Sequence, residues 1–283
     1  MFVVRNPYKQ FQLKTMAYDH SRKIGNRGDV VKHSVLHNCV THLLSHSAEN
    51  ETFVYAESHC GRADYILPEG GEWKHGIGLL SSKTNEAREA CPRIQAYFQS
   101  SLSSQMKVGQ QYFGSSNIVF RCLCSKSRKF RFELHETDVH AYNDLTRFYA
   151  PWSADIHLLN SDGYEGIMSL TLASLVLIDP PSLDSAQISQ CISHLREQKI
   201  PYICWTPRNS SSGGNKGESQ ISEDFGELTG LGTHFPIRWA NPSGASHQTF
   251  GCRLTVADGL VAVVDETMIQ LTTILSENGW ICQ

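Results

Sequence analysis

The segment Leu175-Val176-Leu177-Ile178-Asp179-Pro180-Pro181-Ser182 constrains this chain more than any other. Four consecutive apolar residues suit a strand covered on both faces, the pattern of a parallel sheet. The strand has to stop at the prolines, because neither can donate a ladder hydrogen bond. An acid at the carboxyl end of a buried strand faces the crevice where open α/β sheets bind their ligands. Asp179 is therefore the first candidate functional residue.

Other segments fit the same layout. An apolar stripe through Val30, Val31, Val35, Leu36, Val40, Leu43 and Leu44 predicts a helix over 29–44. Further strands are predicted at 53–57, 130–134, 155–160 and 201–205, with helices over 138–149 and 185–198. Two alternating segments near the end, 250–256 and 260–264, read as a closing hairpin. Residues 1–17 read as an extended arm, and the Ser- and Gly-rich stretch 207–217 as a loop. Between 65 and 110 the text turns Gly-rich, then polar and helix-like, with no buried-strand run. Alternating strands and helices predict an α/β fold with a mostly parallel sheet covered on both faces. The chain's 283 residues suffice for a full core. We read them as a single domain, 1–283, with a small helical subdomain inserted at 65–110.

Composition narrows the function classes. A net charge of −3 excludes a general polycation. Nucleic-acid binding would need a local basic patch. Two clusters offer one: Arg22, Lys23, Arg27 and Lys32, and Lys126, Arg128, Lys129 and Arg131. No apolar stretch is long enough to span a bilayer, and the first residues lack a signal-peptide core. The nine cysteines are scattered without a Cys-x-x-Cys pair, so reduced, packing thiols in a cytoplasmic protein are expected. His33 and His37 stand at metal-pair spacing, but Ser34 occupies the position where a zinc-protease motif carries Glu. No metal is expected.

The first four strands each end near an acid: Glu57, Glu133, Asp162 and Asp179. Such acids can simply cap the next helix. Right-handed crossovers would nevertheless bring all four to one sheet edge. No Gly-x-Gly-x-x-Gly follows the first strand, and no Walker-type loop occurs, so a phosphate-bearing cofactor fits poorly. S-adenosylmethionine, with a ribose diol, an adenine amine and an ammonium, fits better. Glu133 would accept from the ribose hydroxyls and Asp162 from the adenine amine, while Gly61 allows close backbone approach.

Several motifs carry a resemblance. They are Tyr18-x-His20-Ser21-x-x-x-Gly25-Asn26-x-x-Asp29-Val30-x-Lys32-His33, then Phe53 to Gly61, Tyr112-Phe113-Gly114-Ser115, Glu133-Leu134-His135-x-x-Asp138, Asp162-Gly163 and Ile178-Asp179-Pro180-Pro181. In this order, over nearly the whole chain, they resemble the RlmJ family, bacterial enzymes that methylate N6 of an adenine in 23S ribosomal RNA. The resemblance implies a Rossmann-like, S-adenosylmethionine-dependent methyltransferase fold with a small helical insertion. It implies cofactor contacts from His33, His59, Gly61, Ser115, Glu133, Asp162 and Gly163. It places Asp179, Pro180, Pro181 and Lys32 in the catalytic set, with Tyr18, His20 and Ser182 on the substrate side. The implied partner is ribosomal RNA, free of protein, with no membrane and no obligate protein partner.

The implied chemistry suits the residues. Asp179 would accept a hydrogen bond from the adenine amine, and a backbone carbonyl at Pro180-Pro181 would take the second N–H. The target base would leave its stack to reach the pocket. The chain departs from the family at Ser182, where an aromatic normally stacks on the base; Tyr18, Tyr65 and Trp205 are candidate substitutes. Glu57 stands where aspartate is usual. Two alternatives stay open: a methyltransferase acting on DNA, and a cofactor- or nucleic-acid-binding homologue without methyl transfer.

Overall fold

A computed structural model of the chain describes residues 23–101, 106–207, 230–239, 250–276 and 280–282. The arm at 1–17, Tyr18, His20, Arg22 and most of the loop at 207–217 lie outside the described residues.

The chain begins with α1 (Arg27–His46) and β1 (Phe53–Glu57). The Asn26 side chain caps α1 by accepting from the Asp29 N–H at 3.0 Å. Next come β2 (Asp64–Ile66), α2 (Ile77–Ser82), α3 (Asn85–Glu89), α4 (Pro92–Ser101) and β3 (Gln111–Phe113). The strands β2 and β3 pair antiparallel as a two-stranded ribbon around the inserted helices. That ribbon was not legible in a stretch that offers no buried-strand run.

From there the chain alternates. It runs through α5 (Ser115–Ser125), β4 (Phe130–His135), α6 (Val139–Tyr149), β5 (Ile156–Leu159), α7 (Gly163–Ser169), β6 (Leu175–Ile178), α8 (Ser185–Glu197) and β7 (Tyr202–Pro207). It closes with β8 (Thr233–Trp239), β9 (Phe250–Val256), α9 (Val261–Leu275) and β10 (Trp280–Cys282).

Among the described residues the main sheet has eight strands in the order β10-β8-β9-β7-β6-β1-β4-β5. The five strands β5, β4, β1, β6 and β7 are mutually parallel. The remaining pairings, β7 with β9, β9 with β8 and β8 with β10, are antiparallel. This is the mostly parallel, helix-covered sheet that the strand and helix alternation anticipates, in the Rossmann-like form that the resemblance implies. Its order reverses at β1, which has β4 on one side and β6 on the other, and such a switch point opens a crevice. Two apolar clusters cover the sheet. One holds Val35, Leu36, Tyr55, Phe132 and Leu271, beneath α1, α5 and α9; the other holds Val176, Ile178, Ile188 and Ile192, beneath α7 and α8. β6 is fully buried, as four apolar residues in a row require.

The tail corrects one expectation. Residues 260–264 are not a strand: they end a short 3-10 turn and start α9. Leu260, Val264, Met268, Leu271 and Leu275 are all buried, a helical spacing visible only over a longer window. The antiparallel partner of β9 is β8 instead, in register Pro236↔Arg253. Pro236 inside β8 masks its strand signal.

Candidate functional site

The carboxyl ends of β1, β4, β5 and β6 share one edge of the sheet, but their acids differ in what they do. Glu57 is fully buried. Burial pushes its carboxyl up to about 8, although hydrogen bonds from Ser115 and Tyr55 favour the charged form. Tyr55 donates at 2.9 Å, and the Ser115 hydroxyl donates to the other oxygen. Ser115, expected at the cofactor, thus has its proton committed to Glu57.

Beyond Glu57 the chain turns through Ser58, His59, Cys60 and Gly61. His59 Nδ1 pairs with Ser58 Oγ at 2.8 Å, and its ring meets Tyr164 edge-on at 4.9 Å. Burial lowers the His59 pKa against the pull of Asp179 and Asp162, so the neutral ring is favoured. Gly61 adopts φ +65°, and its N–H donates to Glu136 Oε2 at 2.7 Å. Gly163 is required by close packing: a Cβ there would lie 1.7 Å from the Ser58 carbonyl oxygen. The start of α7 is thereby pressed against the end of β1.

Glu133 lies two residues before the end of β4, and its carboxylate sits 3.4 Å from His135 Nε2. The adjacent His135 ring lowers its pKa, against the effect of partial burial. Asp162 takes the capping role: its Oδ1 accepts from the Tyr164 and Glu165 N–H groups at 2.8 and 3.1 Å. Glu136 was not singled out from sequence, yet it bridges the Gly61 N–H and, at 2.7 Å, the Asp138 N–H. No spacing in the sequence could have shown that link.

Asp179 follows β6 directly, with its side chain 18% exposed and in an ion pair with Lys32 of α1. Its backbone N–H lies 3.4 Å from Ser58 Oγ. Lys32 also meets Asp29 at 3.2 Å. Burial alone would lower the Lys32 pKa, but the two carboxylates override it and raise it, so Lys32 stays an ammonium. Next to it on α1, His33 Nδ1 pairs with the Tyr112 hydroxyl at 2.8 Å. Pro180 is buried, while Pro181 and Ser182 are exposed. Of the candidate substitute aromatics, Trp205 is buried against the first turn of α1, where a Cβ on Gly28 would lie 3.1 Å from its ring. The Tyr65 hydroxyl accepts from the Arg62 N–H at 3.0 Å.

The basic clusters are only in part surface patches. Arg128 is buried and donates to the Leu44 and Ala48 carbonyls and to Ser47 Oγ, tying down the end of α1. Arg27 donates to the His75 carbonyl at 3.2 Å, and Lys32 is paired as above. Lys23, Lys126, Lys129 and Arg131 are exposed. Among the described residues no group of three or more His, Cys, Asp or Glu side chains could hold a metal, and no helix is long and apolar enough to cross a membrane. The eight cysteines with described side chains are free, and six of them are buried.

No family model matches the chain. Two curated proteins do. The ribosomal RNA large subunit methyltransferase J of Haemophilus influenzae is 29% identical over 176 residues, and its namesake in Escherichia coli is 24% identical over 176 residues. The chain is similar to the RlmJ family. Each alignment covers 59% of this chain and 59% of the relative, so the match spans about three-fifths of the curated RlmJ proteins. Among solved structures, protein LPL1258 of Legionella pneumophila, described under family DUF519, superposes with a TM-score of 0.69 at 20% identity. That superposition covers 92% of this chain and 97% of the other, and it shows a shared fold.

Proposed function

We propose that this protein is an S-adenosylmethionine-dependent methyltransferase acting on N6 of an adenine in protein-free 23S ribosomal RNA, in the cytoplasm. The observation that carries the reading is Asp179, a partly exposed carboxylate at the end of a buried strand beside the topological switch point, held by a buried ammonium. The names of the two curated relatives support the rRNA substrate. We further propose one catalytic domain with residues 65–110 as its inserted lobe.

The residues present suit this cofactor. Glu133 and Asp162 offer carboxylate oxygens at neighbouring strand ends, and the turn at Gly61 leaves the backbone bare of a side chain. The sequence provides no phosphate-binding glycine loop at the end of β1. When bound, S-adenosylmethionine supplies an electrophilic methyl group on a sulfonium. His59, Gly61 and Gly163 line its side of the site, with His33 and Ser115 acting from behind through Tyr112 and Glu57.

Lys32 orients Asp179. Asp179 accepts one N–H of the target amine and stabilises positive charge growing on that nitrogen. The Pro180 carbonyl accepts the other N–H, so the nitrogen lone pair points at the donor. Tyr18, His20 and Ser182 belong to the substrate side of this scheme.

The test is methyl transfer from labelled S-adenosylmethionine to protein-free ribosomal RNA, with duplex DNA in parallel, followed by nucleoside analysis. N6-methyladenosine in the RNA arm is expected. Label only in DNA, or in another nucleoside, would overturn the target. A second reading, cofactor or nucleic-acid binding without transfer, draws on exposed, small Ser182 in place of an aromatic. Cofactor binding by calorimetry with no label in either nucleic acid would favour it.

A further inference from the structure

We infer that Asp29 is a positioning residue for this reaction: it anchors Lys32 from the α1 side, so that the ammonium meets Asp179 through Oδ2 and leaves Oδ1 to accept the incoming amine. The inference rests on the proposed methyl transfer and adds a residue to it.

Lys32 lies between two carboxylates that come from different elements. Asp29 is one turn earlier on α1, with its Oδ1 3.2 Å from the ammonium, and Asp179 reaches it from the end of β6. The Lys32 and Asp29 side chains are each only 9% exposed. Asp29 is itself fixed. Its Oδ2 accepts from the Gly25 N–H at 2.8 Å, and its own N–H is held by Asn26. Gly25 has φ +65°, a left-handed conformation suited to glycine, and its carbonyl accepts from the Ile77 N–H of α2 at 2.9 Å. A continuous set of contacts therefore runs from the inserted lobe through Gly25, Asp29 and Lys32 to Asp179.

Lysine is a point charge on a flexible stem. Held by Asp179 alone, it could swing between the two oxygens of that carboxylate and compete with the amine for the second. A second carboxylate fixes the direction from which the ammonium approaches Asp179. Other titratable groups interact electrostatically with this set: Glu57 of β1, Tyr65 of β2, Tyr97 of α4 and Tyr112 of β3 with Lys32 or its carboxylates, and His59 with Asp179.

Asp29→Asn tests this. It preserves shape and an acceptor for Gly25, and removes the charge. The first readout needs no turnover: the pH midpoint of Lys32, from NMR of lysine labelled at the ε-carbon. In the wild type Lys32 stays protonated above the ordinary 10.5. In Asp29→Asn the midpoint should fall by about one unit or more. The second readout is transfer to ribosomal RNA. There kcat should fall by about tenfold to a hundredfold, with KM for RNA and cofactor Kd nearly unchanged. Asp29→Glu keeps the charge but displaces it; its Lys32 midpoint should stay high and its kcat should be intermediate.

An Asp29 that only braces the fold would lower the melting temperature while leaving the Lys32 midpoint and kcat per folded molecule unchanged, and the inference would be overturned. If the Asn variant does not fold, the Glu variant decides: full wild-type kcat there overturns the inference. If the wild type itself transfers no methyl, the proposed function falls, and the Lys32 midpoint alone shows whether Asp29 holds that ammonium.

Discussion

Glu57 is a carboxyl whose ionisation this fold opposes. Its carboxyl sits at the end of β1 with no exposed surface, and burial lifts its pKa from 4.5 to about 8. In the unfolded chain it titrates near the ordinary value. Between the two values the folded protein holds a proton that the unfolded chain has released. The stability Glu57 contributes in its neutral form is therefore fully present below pH 4.5, and is lost as pH rises toward about 8. At about 1.36 kcal/mol per pH unit the loss reaches on the order of 5 kcal/mol. Complete burial means that solvent screening does not shrink it. Glu57→Gln keeps the size, retains an acceptor for Tyr55 or Ser115 and cannot ionise. Urea unfolding should be followed from about pH 5 to about pH 9 for both proteins. The wild type should lose stability relative to the variant as pH rises, with the difference levelling off above about pH 8. A difference curve that is flat over that window would refute the argument.

Three further outcomes follow from other contacts. Asp179→Asn should reduce methyl transfer by about a hundredfold or more, with S-adenosylmethionine affinity changed only a few-fold by calorimetry; equal loss of both would remove Asp179 from the chemistry. Gly163→Ala forces a methyl group to within 1.7 Å of the Ser58 carbonyl oxygen, so the start of α7 must shift. A drop in stability of about 1–3 kcal/mol is expected in thermal melts, along with weaker cofactor binding. Arg128→Met leaves the Leu44 and Ala48 carbonyls without their donor. It should destabilise by roughly 1–3 kcal/mol and leave kcat per folded molecule unchanged, a pairing that unfolding and transfer assays together can read.

The sheet was legible where its signals are local. The expected strand at 53–57 is β1 with the same bounds, and the apolar run before Asp179 is β6. A stripe of apolar residues gave α1, extended by two residues at each end because Asn26 supplies the cap. Signals failed where two periods overlap or a proline intervenes. Residues 260–264 are a short, wholly apolar run that a buried strand or a buried helix can share, but the buried side chains of α9 repeat at helical spacing. Pro236 hid β8, the strand that pairs with β9. The acids at the strand ends were legible as a set, and their separate tasks were not. Glu57 turned inward, Asp162 capped α7, and Glu136, outside the set, took the Gly61 N–H.

By itself the sequence determined where strands stop and which chemical groups stand at those stops, because a proline or a run of four apolar residues acts through its immediate neighbours. Only the tertiary structure decided which groups meet. Lys32 and Asp179 are 147 residues apart in the chain, and the order of strands around β1 sets α1 over the end of β6 so that they touch. Burial, and with it the protonation of Glu57 and Lys32, depends on what packs above a residue, and that is a property of the assembled layers alone.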